Sequence, residues 1–149
     1  MEQVAAGAEI SVGQPAEPLP TSIELALRDV VQDHASVAFA YVPVIQFGDQ
    51  PRSLVLVVYL SGETAPEKEL AVLSPAVKAA VDAALQANRK LKMEPLAILP
   101  ISLGQPLDGL AQAVLITDTM LHVNDVKSWQ AARNPKPLLR RMLDWLMGR

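Results

Sequence analysis

The stretch Ser53–Leu60, SLVLVVYL, constrains the fold of this chain more than any other. Seven consecutive apolar or aromatic residues follow one serine, and three of them are valine. The run is too short to cross a bilayer as a helix and is rich in β-branched side chains. It predicts a strand buried on both faces, at the centre of a sheet.

The neighbouring segments supply partners for that strand. Val37 to Phe47 reads as a strand, with Val37, Phe39, Tyr41, Ile45 and Phe47 alternating onto one face and Ala38, Ala40 and Val42 onto the other. Pro43 removes a ladder donor and predicts an edge or a bulge. Gly48 to Arg52 has the composition of a hairpin loop, so the two strands are expected to pair antiparallel. Upstream, Thr21 and Glu24 have the spacing of a capping box, and Ile23, Leu27, Val30, Val31 and His34 form the apolar face of the helix that follows. Residues 1–20 are expected to be a loose start, with a short edge strand near Glu9–Val12.

Downstream, Ser74 and Pro75 predict a second helix running to Ala87, with Val77, Ala80, Val81, Ala84 and Leu85 inward and Lys78, Asp82 and Gln86 outward. Pro66–Leu73 is open between a helical turn and a strand. Glu94–Ile101 predicts another buried strand, Leu107–Ile116 a short helix, and Met120–Val123 a last short strand. Asp125–Pro135 reads as irregular or weakly helical. A final amphipathic helix is expected from Lys136 to Met147. The fold class is therefore α/β of the α+β type: a mixed or mainly antiparallel sheet of three to five strands with helices packed on it. The element order is α-β-β-α-β-α(-β)-α, in a single domain over residues 21–149.

Composition narrows the chemistry. The chain has 149 residues and no cysteine, which excludes disulfides, thiolate metal sites and cysteine nucleophiles. Aromatics make up only 4%, so aliphatic side chains must build most of the core. No signal peptide and no window of transmembrane length is read, and a cytoplasmic location is expected. The net charge of −3 is uneven: residues from Lys127 onward carry six Lys or Arg against Asp144 alone, and the body before them is acidic. An acidic body argues against nucleic-acid binding. The basic 127–149 extension leaves an anionic partner or, less readily, a membrane surface open.

Candidate chemistry is sparse. No phosphate loop, GxSxG elbow or HExxH motif occurs. His34 reads as a helix-terminal histidine bonded to backbone rather than a ligand. His122, near Asn124 and Asp125, reads as part of a turn at a strand end. Glu63, Glu67 and Glu69 read as a solvated face near a helix start. No catalytic residue, metal site or cofactor is assigned. The terminal helix offers Leu138, Arg140, Arg141, Met142, Trp145 and Leu146 as a partner-binding surface, although closing the core is its simpler role.

In this order the residues resemble a known family. Gly13, Gln14 and Pro15, then Pro20, an amphipathic helix, Ala40 and Tyr41, and later Pro106 and Leu107, resemble the C-terminal domain of SseB-type (enhanced serine sensitivity) proteins over residues 10–113. The chain departs from that pattern in lacking the family's N-terminal domain and in adding the basic extension. The resemblance implies no reaction and no catalytic residue. The leading expectation is a non-enzymatic protein-binding or regulatory module that self-associates or binds a protein partner. A small acidic secretion-type chaperone is the alternative, and a hydrolase using His122, Asp125 and a Glu is the third.

Overall fold

A computed structural model describes residues 10–15, 19–62, 65–88, 90, 96–104, 107 and 109–133. Among these residues six strands and four helices follow one another: β1 (Ile10–Gly13), α1 (Thr21–Asp33), β2 (Val37–Tyr41), β3 (Val44–Phe47), β4 (Ser53–Leu60), α2 (Pro66–Ala87), β5 (Ala97–Ser102), α3 (Gly109–Leu115), β6 (Met120–Val123) and α4 (Val126–Arg133). All six strands belong to one mixed sheet.

β4 holds the centre, as its unbroken apolar run predicts. One of its edges pairs antiparallel with both β2 and β3, and the other pairs parallel with β5. The parallel pair needs a crossover, which α2 supplies. β2 and β3 share one register against β4, with Tyr41 opposite Val57 and Val44 opposite Leu54. They are two halves of the single strand expected from sequence, interrupted at Val42–Pro43. Pro43 has no N–H to give β4, but its carbonyl still accepts from Val55 N–H at 3.0 Å, so pairing thins without slipping. This interruption and β1 raise the strand count above the expected three to five. On the far side, β1 pairs with β3 and β6 with β2, so these two short strands lie end to end along one border of the sheet.

Both faces of β4 are covered. Leu56, Val58 and Leu60 meet Ile23, Leu27, Val30 and Val31 of α1 and Leu73 and Val77 of α2. Val55, Val57 and Tyr59 face the other way, toward Ala111, Val114 and Leu115 of α3. The expected alternation in β2 fails at one place. A bulge between Val37 and Phe39 puts Ala38 on the same side as Phe39 and sends Val37 to the α1 side.

The helices depart from the sequence expectation at their starts. Pro20, not Thr21, occupies the N-cap of α1 and no side chain caps it; instead Glu24 N–H bonds the Pro20 carbonyl at 2.9 Å. α2 starts at Pro66 rather than Pro75, so Ser74 is not its cap. Pro66 takes the first helical turn, where a missing N–H costs nothing, and Glu67 and Glu69 sit at the positive end of the helix dipole. Pro75 lies inside the helix on its exposed side. The same extension corrects the reading of membrane length: with 22 residues, α2 is long and apolar enough to cross a bilayer, although it carries Lys78 and Asp82 and packs on α1 and β5.

β5 was expected to be a buried strand and is instead half-buried, because among the described residues it pairs with β4 alone. Leu103 N–H donates to Leu60 O, so by alternation the Pro100 nitrogen faces away from β4. A proline on that side blunts the edge against further pairing.

Just past the parallel pair, Gly62 and Gly104 touch backbone to backbone. A Cβ on Gly104 would stand 2.8 Å from the Gly62 carbonyl oxygen and 3.1 Å from its Cα. Gly104→Ala is expected to destabilise the chain by roughly 1–3 kcal/mol, as forced overpacking does. A Cβ at Gly13 meets nothing within 4 Å, so Gly13→Ala is the matched control, expected near neutral in urea unfolding.

Candidate functional site

The residues that sequence singles out for chemistry are mostly used for structure. His34 caps the C-terminus of α1, and its Nδ1 donates to the Val30 carbonyl at 2.6 Å. A carbonyl can only accept, so that nitrogen carries the proton. This is the backbone-bonded histidine expected. His122 sits in β6 opposite Ala40. Asp125 is engaged elsewhere: its carboxylate accepts from Ser128 Oγ at 2.8 Å and from Ser128 N–H at 3.3 Å, which caps α4. Among the described residues no group of three His, Asp or Glu could hold a metal. Glu67 and Glu69 belong to the first turn of α2, as a helix-start face should. Glu63 and the terminal-helix residues Leu138, Arg140, Arg141, Met142, Trp145 and Leu146 lie outside the described residues.

Asn124 ties the segment after β6 to the rest of the fold. Its side-chain amide donates to the carbonyls of Val31 at 2.7 Å, Val37 at 2.9 Å and His34 at 3.3 Å. Asn124 and Asp125 N–H both reach the Ala38 carbonyl, at the bulge of β2. One turn later Trp129 Nε1 donates to Tyr41 Oη at 2.8 Å, and the Arg133 guanidinium lies 4.6 Å from the centre of the Trp129 ring. α4 is thereby fixed to the aromatic side of the sheet.

The Ser128 hydroxyl, then its N–H, hold the Asp125 carboxyl below the ordinary value of 3.8. Because the folded state lowers this pKa, the helical cap is fully present above 3.8 and is lost as pH falls through the lower folded value. An NMR titration is expected to return a value below 3.8 for Asp125, moved back up by Ser128→Ala, with Trp129 fluorescence changing as α4 frays at acid pH.

The described cleft with converging polar groups lies on the β1–β3 ladder. Ser11 pairs with Gln46 and Gly13 with Val44, so these four share one face. Continuing the β3–β4 register by one residue brings Arg52 opposite Gln46. Ser11, Gly13, Gln14, Gln46 and Arg52 line a cavity of about 70 Å³. Small-molecule sites run to about 300–1,000 Å³; this cleft is small beside them and has room for a carboxylate. Gly13 leaves its floor open, since nothing stands within 4 Å of its missing Cβ. The opposite face of the ladder carries Val12 and Ile45 into the core and leaves Ile10 and its partner Phe47 37% and 47% exposed.

Sequence reasoning passed over this place. Arg52 reads as part of a hairpin loop, and Gly13 and Gln14 enter only through the family resemblance. The signal available was the polar or small residue at every second position of ISVG, Ser11 and Gly13, and the lone glutamine, Gln46, in VIQF. Comparison with protein-family models, curated proteins and solved structures found no match for this chain.

Proposed function

We propose that this chain is a non-enzymatic protein-binding module that takes an extended segment of a partner protein along the β1 edge of its sheet. One observation carries the reading: among the described residues β1 pairs with β3 alone, so every second N–H and C=O along it faces outward. The two borders of the sheet differ. β5 presents Pro100, whereas β1 is followed along the same border by β6 and offers no such block. The exposed Ile10, Phe47 and Met120 side chains along this border give an added strand apolar contacts beside its main-chain bonds.

The occupant is an extended peptide rather than a second copy of the chain. A stable dimer buries roughly 800 Å² per partner, and two four-residue strands placed end to end supply only part of that. A peptide needs only the strand edge and a pocket.

The test uses the full ¹⁵N-labelled chain and the capped peptide acetyl-Val-Glu-Val-Glu-Val-amide. Amide shifts concentrated at Ile10–Gln14, with little change in β5, are expected. Shifts that spread over the surface, or fall on β5, contradict the reading.

A further inference from the structure

We infer that the cleft beside Gly13 binds a carboxylate, so that the segment taken at the β1 edge is acidic; this rests on the docking reading above. The lining is weighted toward donors. Arg52 brings a guanidinium with five N–H groups, Gln14 and Gln46 bring side-chain amides, and Ser11 brings a hydroxyl, while no Asp or Glu among the described residues lines the cleft. Arg52 is exposed and makes no ion pair among the described residues, so its charge is not already satisfied there. The cleft, at about 70 Å³, has room for a carboxylate. Its position matters as much as its chemistry. Ser11 and Gly13 belong to β1 itself, so a strand laid along that edge projects alternate side chains over the face where the cleft opens. A planar guanidinium flanked by amides matches a carboxylate in two-point geometry.

Two peptides and two variants separate this inference from the reading beneath it. The peptides are acetyl-Val-Glu-Val-Glu-Val-amide and its uncharged counterpart acetyl-Val-Gln-Val-Gln-Val-amide, titrated into the full chain and followed at the Ser11, Gly13 and Gln46 amides. The Glu peptide is expected to bind on the order of tenfold more tightly, as one charge-assisted pair supplies. Arg52→Gln is expected to erase that preference and leave the affinity of the Gln peptide unchanged. Gly13→Val puts a branched side chain on the cleft face, where a Cβ meets nothing within 4 Å, and is expected to reduce the preference too. Equal affinity of the two peptides, or an undiminished preference in Arg52→Gln, overturns the carboxylate site while the docking reading stands. No shift at the β1 amides with either peptide overturns both.

Discussion

Phe39→Ala is expected to lower the unfolding free energy by about 3–5 kcal/mol, the cost of emptying a buried aromatic site. Phe39 is fully buried, stacks on Tyr59 at 4.4 Å between ring centres, and meets Tyr41 edge to face at 6.2 Å. These rings tie two helices to the sheet. Tyr59 Oη donates to the Ala111 carbonyl of α3 at 2.6 Å, and Tyr41 Oη accepts from Trp129 of α4. Removing Phe39 opens a cavity at the middle of this group, and the sheet backbone cannot close over it. Since small domains have only about 5–15 kcal/mol in total, the variant should melt far below the parent and lose its near-ultraviolet dichroism first. Phe39→Leu keeps apolar volume without the stack and should fall between the two. A loss below about 1 kcal/mol for Phe39→Ala would mean that the aromatic group does not organise this face.

Leu73→Ala is the second large effect, expected at about 2–5 kcal/mol. Leu73 is fully buried on α2 among the side chains of α1 and β4. The substitution also tests where the helix begins. If the helix started at Ser74 and the preceding residues were a loose turn, truncating Leu73 would cost little. With α2 continuous from Pro66, the truncation leaves a hole between two helices and the sheet. Urea unfolding of Leu73→Ala beside the exposed control Val72→Ala separates the two arrangements, since Val72 is 55% exposed.

Sequence showed the centre of this molecule well and its edges poorly. An eight-residue strand with apolar side chains on both faces has few alternatives, so β4, its hairpin partner and the helical covering followed from composition and spacing. The start of α2 was misread because Pro66 and Pro75 carry the same local signal. The choice between them is made by Leu73 and Val77 packing inward, which is a tertiary fact. The bulge at Ala38 was invisible because VAFAY alternates equally well in either register, and only the bonds from Asn124 and Asp125 to the Ala38 carbonyl mark it. The candidate cleft was harder still. Arg52 and Gly13 are about forty residues apart in the chain and become neighbours only when β3 inserts between β1 and β4. The histidines drew notice for the opposite reason: residue type announced a chemistry that their bonding does not use.

Docking requires the β1 edge to be open to a partner, and amide hydrogen exchange on the full chain tests that directly. In the free protein, alternate amides of Ile10–Gly13 should exchange fast while the amides of Val55–Leu60 stay protected. Addition of the Glu peptide should slow the fast ones. If every β1 amide is protected in the free chain to the same degree as β4, the edge is already covered and the proposed docking surface does not exist.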